Sequence, residues 1–117
     1  MPRLVATLLA TCLATAAHAG DQDFRLVNKT GYQIDSVYVS EANSRAWGRD
    51  IMGRDALADE EAVNISFNRA AQACRWDLKV RYNDGDEATW QNLNLCNISR
   101  VTLFWNDKTQ KTTAKVD

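Results

Sequence analysis

From Cys74 to Tyr82 the side chains alternate without a break: Cys74, Trp76, Leu78, Val80 and Tyr82 on one side, Arg75, Asp77, Lys79 and Arg81 on the other. A period of two marks a strand, because successive Cβ atoms leave a pleated backbone on opposite faces. One apolar face and one charged face fit an antiparallel sheet that rests on a core and meets water. Asn83-Asp84-Gly85-Asp86 follows as a hairpin turn, and Glu87 to Cys96 runs back as the next strand. The hairpin therefore carries a cysteine near each open end.

The rest of the chain keeps this rhythm. Phe24 and Leu26 start a first strand, which turns at Lys29-Thr30-Gly31. Tyr32 to Ser40 is β-branched and aromatic. Its apolar phase shifts between Ile34 and Val37, which predicts a bulge or burial on both faces. The Glu87 to Cys96 strand shifts in the same way, from Ala88 and Trp90 to Leu93 and Leu95. Val63, Ile65 and Phe67 alternate with Asn64 and Ser66, and Ile98 to Trp105 is a further apolar run. Asn106-Asp107 turns into a Lys- and Thr-rich segment, Lys108 to Val116, suited to an exposed edge. Seven short strands separated by turns predict an all-β fold, a compact antiparallel β-sandwich with one disulfide, with a small barrel as the alternative.

The first residues read as a signal peptide. Arg3 supplies the positive start, Leu4 to Ala17 is uncharged and apolar, and Ala17-His18-Ala19 is a cleavage site before Gly20. The run is too short to span a membrane, and no later segment is apolar enough to do so. Residues 1–19 are thus expected to be removed and residues 20–117 to form one exported β domain, periplasmic or secreted. In the rival reading Leu9-Ala10-Thr11-Cys12 is a lipoprotein box, and Cys12 would carry a lipid anchor.

After cleavage the balance of 13 basic and 15 acidic side chains gives a net charge of −2, with no basic stretch of the kind that tracks a phosphate backbone. Nucleic acid is therefore not an expected partner. Cys74 and Cys96 remain, and an even pair in an oxidising compartment reads as a disulfide. The single histidine, His18, leaves with the signal peptide. Without histidine or a free thiol, the Ser-His and Cys-His nucleophiles and ordinary zinc sites are excluded. We expect no catalytic residues, no metal ligands and no cofactor.

Residues 43–61 break the β rhythm with a long, charged stretch, the kind of loop that is usually functional or mobile. Asp55-Ala56-Leu57-Ala58 has the composition of one helical turn. The candidate binding residues lie here: Trp47 as an aromatic anchor, with Arg45, Arg49, Asp50, Arg54 and Asp55 around it. The alternative for the same residues is structural, with Trp47 and Leu57 plugging the end of the sandwich while Asp50 and Asp55 cap backbone amides. Asp84, Asp86 and Glu87 cluster at the hairpin tip, where calcium binding would need a further ligand such as Asp50 or Asp55. Trp76, Trp90 and Trp105 fall on or near inward positions, which suits a core better than a row of sugar platforms. Asn28-Lys29-Thr30, Asn64-Ile65-Ser66 and Asn97-Ile98-Ser99 match glycosylation acceptors, a tripeptide common by chance.

These residues bear a family resemblance. Asn28-Lys29-Thr30-Gly31 with Ile34, Val37-Tyr38-Val39-Ser40, Trp47-Gly48-Arg49-Asp50, Gly53, Leu57, Cys74-Arg75-Trp76-Asp77-Leu78-Lys79-Val80, Asp84-Gly85, Trp90 and Asn94-Leu95-Cys96 span nearly the whole mature chain. The chain resembles a family of small exported bacterial proteins without an established activity. Members often place a glycine soon after the Leu57 position, where this chain has Asp59-Glu60-Glu61. The resemblance implies export and the cysteine pair. Some relatives carry the name argininosuccinate lyase, but that enzyme is a large helical oligomer whose site a single small β domain cannot build.

The expected function is a non-catalytic exported module that binds an extracytoplasmic protein or glycan through the Trp47 loop. The alternatives are an inhibitor or immunity-type protein plugging an enzyme, a calcium-stabilised structural domain, and a hydrolase acting through two carboxylates.

Overall fold

The computed structural model describes residues 22–68 and 71–117; the predicted signal peptide, its cleavage site and Cys12 lie outside them. Among the described residues seven strands form: β1 Phe24–Lys29, β2 Ile34–Glu41, β3 Ala62–Ile65, β4 Arg75–Tyr82, β5 Glu87–Asn94, β6 Arg100–Asn106 and β7 Lys111–Val116. They make a four-stranded sheet in the order β3-β1-β6-β7 and a three-stranded sheet in the order β2-β4-β5. The core draws on both, with Phe24, Leu26, Ile65, Val101 and Leu103 from the first and Ile34, Val37, Trp76, Leu78 and Val80 from the second. The sandwich expected from the alternation is the fold observed. It is not wholly antiparallel, however: β1 and β6 pair in parallel, from Arg25 opposite Arg100 to Lys29 opposite Phe104.

Both predicted phase shifts are bulges. The β2–β4 ladder slips between Ile34 and Ser36. In the β4–β5 ladder Leu78 faces Trp90 while Trp76 faces Leu93, which leaves one extra residue on β5. Asn92 absorbs it at a φ of 59°, and its amide donates to Asp77 Oδ1 at 2.8 Å. The hairpin turns at Gly85, whose φ of 94° suits the residue without a Cβ. At its open end Cys74 and Cys96 form a disulfide with their Cα atoms 5.2 Å apart.

The predicted helical turn at Asp55–Ala58 is absent. Leu57 instead exchanges two backbone hydrogen bonds with Ile34, of 2.8 and 2.9 Å, and sinks into the core. A buried leucine anchored as a β-bridge gains more than one exposed helical turn would give.

Asn28 closes β1 in a way the acceptor tripeptide did not suggest. It is fully buried, and its amide is saturated. Nδ2 donates to the Tyr32 carbonyl at 2.8 Å and the Leu57 carbonyl at 3.0 Å. Oδ1 accepts from Thr30 N at 3.0 Å and Thr30 Oγ1 at 2.7 Å. The residue is a bracket joining a strand end, a turn and the far end of the long loop. A glycan could not be attached to it in the folded chain.

Candidate functional site

The loop after β2 is pinned along that strand. Ser40 Oγ donates to the Ala46 carbonyl at 2.9 Å. Asp50 Oδ1 accepts from Val37 N at 2.9 Å and from Met52 N at 3.0 Å, and Ile51 N donates to the Val37 carbonyl at 2.8 Å. The loop thereby covers the outer edge of β2 and has a set shape despite its irregular path. Asp50 has the amide-capping role and is spent on it. The Asp55 carboxylate is exposed and makes no hydrogen bond among the described residues.

Trp47 lies half-buried on the outer face of the three-stranded sheet. The Lys79 ammonium sits 4.8 Å from the Tyr38 ring centroid and 4.9 Å from that of Trp47, so one cation bridges two rings. Such contacts are attractive through the ring quadrupole. Of the two residues considered as plugs, Leu57 belongs to the core cluster and Trp47 does not. Arg45, Arg49 and Arg54 are exposed, and among the described residues none of them makes an ion pair or hydrogen bond.

The acidic hairpin tip does not gather into a ligand set. Arg81 holds Glu87 Oε2 through Nη2 at 2.8 Å and Nε at 3.0 Å, and this pairing lowers the Glu87 pKa. Asp84 Oδ1 accepts from Asp86 N at 2.9 Å. No group of three acidic, histidine or cysteine side chains suited to a metal occurs among the described residues. Of the two extra ligands considered for calcium, Asp50 is engaged at the edge of β2, and Asp55 lies in the long loop and does not line the depression at the hairpin tip.

A surface depression lies at the end of the sandwich where the β4–β5 and β6–β7 hairpins meet. It measures about 220 Å³ and is lined by Tyr32, Tyr82, Asn83, Asp84, Asp86, Trp105 and Gln110. Its three rings stand nearly perpendicular to one another. Tyr32 and Tyr82 are 6.3 Å apart at 86°, Tyr32 and Trp105 5.8 Å at 82°, and Tyr82 and Trp105 6.2 Å at 84°. Trp105 is steadied by donation from Nε1 to Asp107 Oδ1 at 2.9 Å, and the Tyr82 hydroxyl bonds Thr112 Oγ1. Desolvation raises the Tyr82 pKa, and the negative charges of Asp84 and Asp86 add to the effect.

Sequence reasoning placed none of these rings in a site. They come from the turn before β2, the end of β4 and the end of β6, and no local spacing links them. Of the tryptophans read as core, Trp76 is core, donating from Nε1 to the Ala73 carbonyl at 2.8 Å. Trp90 is half-buried against the core, and Trp105 is the one that reaches the depression.

No family model and no curated protein matches the chain. Among solved structures, one described as "NMR structure of the protein from Eubacterium rectale" is similar with a TM-score of 0.59 and 14% sequence identity, over 88% of this chain and 93% of that one. At that identity the likeness shows a shared fold and nothing further. Among the described residues no helix is long and apolar enough to cross a membrane. That fact and the Cys74–Cys96 disulfide are compatible with an extracytoplasmic place.

Proposed function

We propose that this chain is an exported, non-catalytic binding module whose working surface is the loop from residue 42 to residue 61. The partner is an extracytoplasmic protein or glycan that presents negative charge. The observation that carries the reading is the contrast within the loop. Asp50, Asp59 and Glu61 accept backbone amides and Glu60 pairs with Lys29, while among the described residues Arg45, Arg49 and Arg54 stand exposed without an acidic partner. Guanidinium groups presented on a fixed scaffold suit carboxylate or sulfate groups, which they can hold with two parallel hydrogen bonds. Trp47, set beside them, adds apolar contact area at small entropic cost.

The non-catalytic part of the reading rests on chemistry. The mature sequence has no histidine, and its two cysteines are joined. The raised pKa of Tyr82 moves that phenol further from proton transfer at neutral pH.

The test compares the wild-type chain with Arg45→Ser/Arg49→Ser/Arg54→Ser and with Trp47→Ala as baits for periplasmic extract and as ligands for a carboxylated or sulfated glycan resin. The arginine variant should fold normally and lose retention. Wild-type retention should fall with added salt, since exposed charges are screened. Trp47→Ala should weaken binding by about 2 kcal/mol, as anchors of this type do, and cost about 1 kcal/mol of stability for the lost Lys79 contact. Unchanged capture by the arginine variant would remove the proposal.

A further inference from the structure

The depression at the other working end of the sandwich shares no lining residue with the long loop. Its charged lining is acidic only. Asp84 and Asp86 line it, neither is in an ion pair among the described residues, and no lysine or arginine lines it. Lys111 belongs to the adjoining groove, and Arg81 is held by Glu87. The three rings add electron-rich faces to this negative rim. Their mutual right angles provide no pair of parallel platforms for a flat ring to lie between, and instead frame a corner that receives a compact, rounded group. At about 220 Å³ the space is smaller than the roughly 300–1,000 Å³ of drug-sized sites and suits a single head group. Tyr32 is 51% exposed although it is a large aromatic in contact with two others, so one wall of the corner is open to an incoming ligand.

From this geometry we propose that Tyr32, Tyr82 and Trp105, with Asp84 and Asp86, form a second binding site for the methylated or alkylated ammonium head of an organic cation. Aromatic faces attract such cations, and the attraction grows when the cation is partly desolvated. The carboxylates supply the long-range charge, while Asn83 and Gln110 offer amides to a polar tail. The site is independent of the arginine loop and stands or falls without it.

The probes are choline and its uncharged isostere, in which carbon replaces the quaternary nitrogen. The folded, oxidised protein is titrated while its amide and indole N–H NMR signals are followed. Choline should shift the Trp105 indole and the amides of residues 83–86, and the isostere should bind more weakly. Tyr32→Ala and Asp86→Asn should each weaken choline by about three- to thirtyfold. Both side chains are exposed at the rim, so neither change removes core. Arg49→Ser should leave choline binding unchanged, which separates this site from the loop. Equal binding of the isostere, a lack of any shift at tens of millimolar choline, or a hexose that binds where choline does not would each overturn the assignment.

Discussion

Replacing Asn28 by alanine should cost this domain about 4 kcal/mol, a large share of the roughly 5–15 kcal/mol that holds a domain folded. The magnitude follows from four side-chain hydrogen bonds, two given and two received, at a net 0.5–1.5 kcal/mol each. The surroundings set how much is lost. The Leu57 carbonyl keeps Ile34 N at 2.9 Å, and the Tyr32 carbonyl keeps Thr30 Oγ1 at 3.1 Å. Thr30 N, in a buried residue, loses its partner outright. A urea titration of wild type and variant measures the difference, and hydrogen exchange at Ile34 and Glu60 should quicken because both amides lie on segments that Asn28 ties together. Asn28→Asp sharpens the test by keeping the shape while turning two donors into acceptors facing two carbonyls. Burial and those carbonyls raise the aspartic acid's folded-state pKa. Its stability should therefore be greatest below the unfolded value of about 3.9 and decline as the pH rises through the folded one. A cost below about 1 kcal/mol for Asn28→Ala would refute the reasoning, because water or a neighbour would then be serving those groups.

Glu60 stands at a φ of 71° in the turn that leads into β3. Glu60→Gly should relieve left-handed strain of about 1–2 kcal/mol, in part offset by the freer unfolded chain, for a net gain in thermal stability. Cys74→Ser/Cys96→Ser opens a loop with a sequence separation of 22 and should cost about 3.4 kcal/mol in the loop-entropy model; equal urea midpoints for the two proteins would contradict it. Tyr82 is harder to ionise folded than unfolded, so its contribution is complete below about pH 10 and fades as the pH rises through the folded value. Stability measured from pH 9 to 11 should drop less steeply in Tyr82→Phe than in wild type, over and above the loss of the Thr112 bond (range in about two units around the tyrosine value).

Strand existence was legible because the core imposes a period of two on each strand separately. The bulges at Ile34–Ser36 and at Asn92 were legible for the same reason, as the side chains change phase where the backbone gains a residue. The disulfide needed only a count of cysteines. Strand order did not show, because the pairing of Leu26 with Val101 leaves no mark near either residue. The bracing role of Asn28 went unseen for a related reason: apart from the Thr30 hydroxyl its partners are backbone groups of Thr30, Tyr32 and Leu57, and backbone groups have no sequence identity. Trp47 and Trp105 look alike as letters, yet one lies over Lys79 and the other walls a depression. Tyr32, Tyr82 and Trp105 meet only when the two hairpin ends come together. The unpaired arginines were visible as residues, but their lack of acidic partners was not.

The parallel ladder between β1 and β6 also governs when the domain can exist. Leu26 and Val101 are 75 positions apart, so the first strand waits for nearly the whole chain before its central neighbour arrives. The β4–β5 hairpin can close early, since Arg81 and Glu87 face each other across a short turn. The four-stranded sheet cannot. Folds dominated by such distant pairings form in milliseconds to seconds rather than microseconds. If the chain is exported as proposed above, threading through a membrane pore, a late-closing sheet is an advantage. Premature collapse on the synthesis side would then be discouraged by topology, and the same order of pairing would let the completed domain lock only after its last strands had crossed.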